Sequence, residues 1–144
     1  MSAGAESLPS GLELARRIVA QGGRPPIGET LDFACIEVDE GRAVFEGDPQ
    51  ANTYNPMGTV HGGYAATLLD SACGIATVTR LAPGQSMTTL ELKVSYHRAM
   101  TDRTGPVRAE GVVVSMGRRV AFVEAKLTDR LLASATSTLL VISA

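Results

Sequence analysis

One segment of the chain is apolar on every side and must therefore be buried. From residue 64 to about residue 81, alanine, leucine, isoleucine and valine occupy nearly every side of the implied helix, and the first turn signal is Ala82-Pro83-Gly84. A helix that is apolar all round lies inside a protein. Several of its residues are small enough for another backbone to approach closely: Ala65, Ala66, Ala72, Gly74 and Ala76. The segment predicts a central helix around which a sheet curls.

The segments that flank this helix have the alternation and the turn residues of β-strands. Two strands are predicted within residues 30–46, joined near Asp39-Glu40-Gly41, and a long polar loop then runs from Asp48 to Gly63. Four consecutive strands follow the helix, and we predict that they pair as an antiparallel meander: residues 87–96, 107–116, 120–128 and 131–142. The fold class is α+β, with an antiparallel sheet of five to six strands wrapped around the helix.

The first 29 residues are predicted to be a helical extension of this domain. Ser10 and Glu13 have the spacing of a capping box, and apolar residues share one stripe before Gly22-Gly23 ends the helix. A chain of 144 residues is long enough for one sizeable core and too short for two. We therefore predict a single domain over residues 1–144.

Composition argues against nucleic acid and membranes as partners. The formal net charge is -2 with no basic stripe, and no apolar run is long enough to span a bilayer. The first ten residues have neither the basic start nor the apolar stretch of a signal or transit peptide. Cys35 and Cys73 are the only cysteines and are predicted to be buried free thiols, which favours a cytoplasmic protein. No cluster of residues has the spacing of metal ligands, so no metal is expected.

A single charged side chain stands inside the apolar helix. Asp70 is the only Asp, Glu, Lys or Arg between Asp48 and Arg80. Burial disfavours an ionised carboxylate, and perturbed groups of this kind gather at functional sites. The residues one helical turn away are small, which leaves space for a substrate: Ala66, Thr67, Cys73 and Gly74. A structural role, in which Asp70 pairs with a strand residue or caps a loop, fits the sequence equally well.

The approach to the helix is rich in glycine. Glycines at a helix start leave N–H groups pointing outward, with the positive end of the helix dipole behind them, so Gly62-Gly63 predicts an oxyanion site. The alternative is a turn that needs a positive φ. His61 is ambiguous by itself, since a histidine beside a helix start is more often a structural hydrogen-bonding group than a base.

Distance restricts how Gly62 and Asp70 could cooperate. The two residues are eight positions apart, which along a helix is about 12 Å. One carbonyl carbon cannot meet both groups of one chain. If both serve one reaction, Gly62 of one chain faces Asp70 of another, and a two-fold axis then creates two equivalent sites in a homodimer.

The motif Asn55-x-x-Gly58-x-x-His61-Gly62-Gly63, followed by Thr67-Leu68-Leu69-Asp70, resembles the signature of the PaaI-like hotdog thioesterases, the phenylacetyl-CoA and 4-hydroxybenzoyl-CoA type. Residues 88–96 resemble the strand that follows the central helix in that family, and the resemblance extends from about residue 31 to the C-terminus. It implies a hotdog fold, an acyl-CoA substrate and a homodimer with shared active sites, arranged as a dimer of dimers.

The resemblance also implies roles for individual residues. Asp70 would be the nucleophile, or the general base that activates water against the thioester carbonyl. The amide of Gly62 in the partner subunit would hold the developing oxyanion. Asn55 would orient the acid or the water, Thr89 would assist from the neighbouring strand, and His61 would shape the loop. Coenzyme A would be part of the substrate, and no separate cofactor is implied.

Arginines and exposed backbone amides favour phosphate binding, so the turn Gly117-Arg118-Arg119 is the first candidate for contacts to coenzyme A. A solvated hairpin tip explains this turn about as well. Arg98 and Arg103 are weaker candidates for the same role.

The acyl group is expected to be medium-sized or aromatic, in a pocket lined by Met57, Tyr64 and Leu68. Two departures from the family pattern stand out: glycine at position 74 supplies no hydroxyl to hold a water, and the tight turn at Asp129-Arg130 lacks an expected glycine.

Two other functions stay open. The protein could bind acyl-CoA without hydrolysing it, although the DNA-binding region expected of a ligand sensor is not found. It could instead hydrate or dehydrate an enoyl thioester, a reaction that usually needs a catalytic histidine; here His61 lies in a loop and His97 at a strand end.

Overall fold

A computed structural model describes residues 6–143. Three helices and six strands form the fold, with one 3-10 turn in the loop before the third helix. In chain order they are α1 Gly11–Ala20, α2 Pro26–Leu31, β1 Phe33–Asp39, β2 Arg42–Gly47, α3 Gly62–Val78, β3 Ser86–Tyr96, β4 Val107–Met116, β5 Val120–Thr128 and β6 Leu131–Ile142. The prediction that the first ten residues are not a signal or transit peptide falls partly on residues 1–5, which lie outside the described residues.

The six strands form one antiparallel sheet in the order β1-β2-β4-β5-β6-β3. Helix α3 contacts every one of these strands. Its side chains Leu68 and Leu69 are fully buried against the inner face of the sheet, together with Phe45, Leu127 and Leu139. The predicted α+β hotdog fold, with a central helix wrapped by six antiparallel strands, is confirmed.

The predicted meander of the last four strands is wrong in one respect. Strands β4, β5 and β6 are consecutive neighbours, but β3 pairs with β6 at the edge of the sheet and not with β4. The reason is that β2 and β5 occupy both sides of β4, so β3 finds its free partner in β6. The link of residues 97–106 carries the chain from one side of the sheet to the other. As a result, β3 has one unpaired edge.

Two predicted boundaries need correction. Thr30 and Leu31 belong to helix α2 and not to a strand, because proline at the first helical position fixes φ and Asp32, with φ 58°, ends the helix in the left-handed region. Helix α3 begins at Gly62, two residues before the predicted start, because His61 caps it, and it ends at Val78. The capping box of Ser10 and Glu13 is confirmed at the start of α1.

Helix α3 packs closely against the sheet at Gly111 in β4. A Cβ placed on Gly111 would lie 2.5 Å from the carbonyl oxygen of Ala72 and 2.9 Å from the amide nitrogen of Cys73. Both are backbone atoms in the middle of the helix, so neither can rotate away. Gly111 therefore sets the depth at which α3 lies in the sheet.

Replacing Gly111 by alanine is expected to lower the free energy of unfolding by about 3 kcal/mol, because α3 must move away from β4 to admit one methyl group. Urea unfolding, followed by circular dichroism, measures the change in midpoint. Gly117→Ala is the matched control, since the nearest atom to a Cβ there is the carbonyl oxygen of Val120 at 4.0 Å. Equal midpoints for the two variants would contradict this role for Gly111.

Candidate active site

Asp70 lies half-buried on α3 and is held by one neighbouring strand. The hydroxyl of Thr89 in β3 donates a hydrogen bond to Oδ1 of Asp70 at 2.9 Å. Among residues 6–143 this is the only hydrogen bond that the carboxylate accepts, and no Lys or Arg nitrogen lies within 4 Å of it. The strand partner is thus a neutral donor and not a cation, so Oδ2 stays available to a substrate or a water.

A β-bulge in β3 aims Thr89 at this carboxylate. The pairing of β3 with β6 shifts register between Thr89 and Glu91, which leaves Leu90 as the extra residue. Thr89 is half-buried toward α3, whereas Leu90 is 58% exposed. The buried Ser137 of β6 donates its hydroxyl to the carbonyl of Glu91 at 2.8 Å. Ser137 therefore stabilises the irregular backbone on which the position of Thr89 depends.

Thr89→Val keeps the shape of the side chain and removes the hydroxyl that holds Asp70. We expect kcat/KM for thioester hydrolysis to fall about tenfold, because the hydrogen bond to a charged acceptor is lost. Steady-state thiol release measures the change. Thr88→Val makes the same chemical change on the exposed face of the strand and is expected to leave kcat/KM within a factor of about two. If Thr88→Val lowered kcat/KM as much as Thr89→Val does, the effect would come from a change in the strand and not from the lost hydrogen bond to Asp70.

One stripe of α3 is left partly uncovered by the sheet, and Asp70 stands on it. Its other members are Gly63, Ala66 and Thr67, which are half-buried or exposed while most of the helix is buried. The hydroxyl of Thr67 donates to the carbonyl of Gly63 at 2.7 Å, so it is satisfied within the helix. The stripe is therefore flat and small, with one carboxylate as its polar group.

The space beside Gly74 is already filled. A Cβ on this residue would lie 3.0 Å from Cε of Met87, so the glycine makes room for that side chain. Cys73 is fully buried one turn after Asp70, and burial, with the charge of Asp70 as a smaller cause, raises the pKa of its thiol to about 12. Cys73 is thus a protonated core residue and not a nucleophile. Both cysteines are free and buried, as predicted.

The amide of Gly62, at the start of α3, is uncommitted within the described chain. Nδ1 of His61 accepts the N–H of Gly63 at 2.8 Å, and the carbonyl of His61 accepts the N–H of Tyr64 at 3.0 Å. No acceptor within residues 6–143 is bonded to the N–H of Gly62. Neither Gly62 nor Gly63 has a positive φ, whereas Gly58 does, at 88°. The need for a left-handed turn is therefore not what places glycine at 62.

Tyr96 explains the glycine at position 62 and was missed from the sequence. Its hydroxyl donates to the carbonyl of Gly62 at 2.7 Å, and a Cβ on Gly62 would lie 2.9 Å from its ring. Tyr96 is the last residue of β3, the strand that also carries Thr89. The sequence feature that could have identified Tyr96 is an aromatic residue at the end of a predicted strand. The start of α3 is thus fixed by the same strand that holds Asp70.

A cavity of about 340 Å³ opens beside Gly62, lined by Val60, Gly62, Ala65, Tyr96, His97, Arg98, Ala99 and Met100. The predicted pocket residues are elsewhere. Tyr64 and Leu68 are buried in the core, because they face the inner side of the sheet, and Met57 is 80% exposed. In the single chain, no acyl group could contact Tyr64 or Leu68 without opening the core.

Asn55 uses most of its side chain within its own loop. Its Oδ1 accepts the N–H groups of Met57 at 2.9 Å and Thr59 at 3.2 Å, and its Nδ2 donates to Oγ1 of Thr59 at 3.0 Å. One N–H of Nδ2 remains. Within one chain Asn55 and Asp70 are not hydrogen-bonded to each other.

The predicted phosphate turn lies at the opposite end of α3 from Gly62. Gly117 and Arg118 line a cavity of about 490 Å³ together with Thr79 and Arg80, which follow the last turn of α3. Arg119 is exposed, and its carbonyl accepts the N–H of Val141 at 2.7 Å. Within one chain the turn therefore does not adjoin the Gly62 cavity.

Neither a membrane span nor a metal site is found in the part of the chain that the structure describes. No helix within residues 6–143 combines the length and the hydropathy needed to cross a bilayer. The same residues hold no group of three or more His, Cys, Asp or Glu side chains placed to share a metal ion.

Comparisons with known proteins found a matching family and a similar hydrolase. Residues 57–130, slightly more than half of the chain, match the model of the thioesterase superfamily. The 1,4-dihydroxy-2-naphthoyl-CoA hydrolase of Listeria monocytogenes is 26% identical over 101 residues, covering 70% of this chain and 80% of that protein.

Two solved structures are similar over most of the chain. A mutant of the phenylacetic acid degradation protein PaaI from Thermus thermophilus is 30% identical with a TM-score of 0.73, covering 81% of this chain and 98% of that one. A conserved protein of Pseudomonas aeruginosa is 28% identical with a TM-score of 0.78, covering 85% and 98%. The resemblance to PaaI-like proteins drawn from the motif at residues 55–70 is confirmed. The chain belongs to the thioesterase superfamily.

Proposed function

We propose that the protein hydrolyses an acyl-CoA thioester to the free acid and coenzyme A, at a site shared between two subunits of a homodimer. One observation carries the proposal. A carboxylate with no cation beside it stands on the partly uncovered stripe of α3, about 12 Å along the helix from the uncommitted amide of Gly62. Acyl transfer needs a base or nucleophile and an oxyanion donor, and these two groups are of those kinds.

The thioester carbonyl would lie between the two subunits. The N–H of Gly62, with the helix dipole behind it, stabilises the negative charge that develops on the carbonyl oxygen. Asp70 of the partner subunit either removes a proton from an attacking water or attacks the carbonyl carbon itself and forms an anhydride that water then hydrolyses. In both routes the carbon–sulfur bond breaks and the coenzyme A thiolate takes up a proton. The remaining N–H of Asn55 orients the water or the acid.

The surface around Asp70 supports pairing with a second copy. Strand β3 is 11 residues long, has one unpaired edge and contains no proline. Such an edge offers a row of free N–H and C=O groups to another strand. Leu90 of this strand is exposed next to Thr89, and Asp70, which Thr89 contacts, stands on the flat stripe of α3. A partner at this edge would cover the stripe and bring its own helix start toward Asp70.

The acyl group that we propose is medium-sized or aromatic. The hydrolase of Listeria carries an aromatic acyl-CoA in its name, and PaaI is named for phenylacetic acid degradation.

A panel of short, long and aromatic acyl-CoAs tests the proposed function. Purified protein is expected to release coenzyme A thiol from at least one class, with one acid formed per thiol. Ligand binding without thiol release across the panel would replace hydrolysis by a binding role. Hydration of an enoyl-CoA, seen as loss of its conjugated absorbance without thiol release, would assign a hydratase instead.

A further inference from the structure

A second cavity adjoins the one beside Gly62. It measures about 430 Å³, and the two cavities share Arg98 and Ala99 in their walls. Arg98, Arg103 and Arg130 line it, against a single carboxylate, that of Asp129. The Gly62 cavity thus has as its neighbour a site with an excess of positive charge.

The three arginines come from different segments whose backbones are fixed. The carbonyl of Leu132 in β6 accepts the N–H of Arg98 at 3.1 Å. Arg130 occupies the turn between β5 and β6, two residues before Leu132. Arg103 lies in a turn closed by Thr101 and Thr104, in which the N–H of Thr101 donates to the hydroxyl of Thr104 at 2.9 Å. Their convergence is therefore a property of the fold.

The three guanidinium groups have no protein partner. Within residues 6–143, none of them donates a hydrogen bond to the protein, and none lies within 4 Å of a carboxylate oxygen, including those of Asp129. Three other arginines of the described chain are paired with carboxylates, among them Arg42 with Glu110 at 2.9 Å and Arg24 with Asp32 at 2.6 Å. Unpaired cations that surround a cavity, in a chain of net charge -2, indicate a site for an anion.

We propose that Arg98, Arg103 and Arg130 bind the phosphate groups of the coenzyme A part of the substrate. The inference rests on the proposed function, because it assigns the remote half of the same substrate. Guanidinium groups bind phosphate oxygens through paired, charge-assisted hydrogen bonds. The pantetheine arm is a long, uncharged chain with two amides, and the Gly62 cavity offers it apolar walls and polar groups at Tyr96 and His97.

This assignment differs from the one that the sequence favoured. Arg118 and Arg119 stand beyond the other end of α3, and their cavity is not continuous with that of Gly62 in the same chain. They could approach the substrate only from the partner subunit. The arginine cavity needs no such contribution, because it adjoins the cavity beside Gly62 in the same chain.

The triple variant Arg98→Gln, Arg103→Gln, Arg130→Gln tests the site with two substrates. Acyl-CoA carries the phosphates, and the matching acyl-pantetheine lacks them. We expect KM for acyl-CoA to rise at least about tenfold with kcat within about twofold, and kinetics on acyl-pantetheine to match the wild type. An unchanged KM for acyl-CoA, or an equal loss on both substrates, would overturn the proposal.

Two further variants separate this site from its alternatives. Arg16→Gln with Arg17→Gln removes two exposed charges on α1 and is expected to leave both substrates unaffected. Arg118→Gln with Arg119→Gln examines the other turn. If that variant, and not the triple variant, raises KM for acyl-CoA alone, the phosphates bind at 117–119 and the proposal is wrong.

Direct binding distinguishes failure of this inference from failure of the proposed function. Calorimetric titration with free coenzyme A and with pantetheine needs no turnover. We expect the wild type to bind coenzyme A at least about tenfold more tightly than pantetheine, and the triple variant to lose that difference. A wild type that hydrolyses nothing but shows the difference would refute hydrolysis and retain the arginine site. A wild type that hydrolyses acyl-CoA without the difference would refute the arginine site alone.

Discussion

Asp70→Asn is expected to lower kcat for thioester hydrolysis about 10³-fold, because the amide can neither accept a proton from water nor attack a carbonyl carbon. Asparagine has nearly the same shape, and its Oδ1 can still accept the hydroxyl of Thr89 that holds Asp70 at 2.9 Å. The position of the side chain should therefore be kept while its chemistry is lost. Thiol release under saturating substrate measures kcat.

The control for this variant is Asp39→Asn, the same change at the exposed last residue of β1. We expect it to match the wild type. Light scattering and circular dichroism should show that both variants keep the oligomeric state and the fold. If Asp70→Asn retained activity within about tenfold of the wild type, the carboxylate would not have the catalytic role given to it.

Gly62→Pro is expected to lower kcat by about 10²-fold to 10³-fold, because proline has no N–H to offer the oxyanion. The backbone tolerates the change. Gly62 is the first residue of α3, where proline is favoured, and His61 before it has ψ 135°, the extended conformation that a following proline requires. The variant therefore replaces the amide hydrogen of the proposed site by a ring carbon and leaves the helix start in place.

Gly62→Ala is the matched control. It adds the same Cβ, which meets the ring of Tyr96 at 2.9 Å, but keeps the N–H. Tyr96 is a partly exposed side chain that can shift, so we expect a loss of no more than about tenfold. Equal losses for the proline and alanine variants would attribute the effect to crowding at Tyr96 and would remove the amide from the mechanism.

The sequence was sufficient to predict the centre of this fold, because the burial of one helix determines how the sheet is arranged around it. An apolar segment with a lone acid predicted the buried position of α3 and made Asp70 a candidate site residue, and the structure gives that acid a neutral partner. The capping box at Ser10 and the six strands followed from local patterns. These features depend on neighbours in the chain, which the sequence displays directly.

The strand order and the β3 bulge could not be predicted in the same way. The paired residues of β2 and β4 are 60 to 70 positions apart in the chain, and that pairing depends on how the sheet closes around α3. In β3, alternation through Leu90, Leu92 and Val94 points Leu90 inward and Thr89 outward. The bulge reverses this, and its stabilising contact comes from Ser137 on another strand. Thr89 became a candidate site residue only through the family resemblance. The bulge and the hydrogen bond to Asp70 explain why its side chain lies beside that carboxylate.

Mixed dimers test the shared active site most directly. Two chains with different affinity tags are co-expressed, and only heterodimers are purified. When one chain carries Asp70→Asn and the other Gly62→Pro, one of the two sites receives an intact Gly62 and an intact Asp70 from opposite chains, so about half of wild-type activity is expected. When one chain carries both changes and the other is wild type, neither site is complete, and the dimer should be inactive. A reversed result, with activity only in the second heterodimer, would place Gly62 and Asp70 of one chain at the same site and contradict the account.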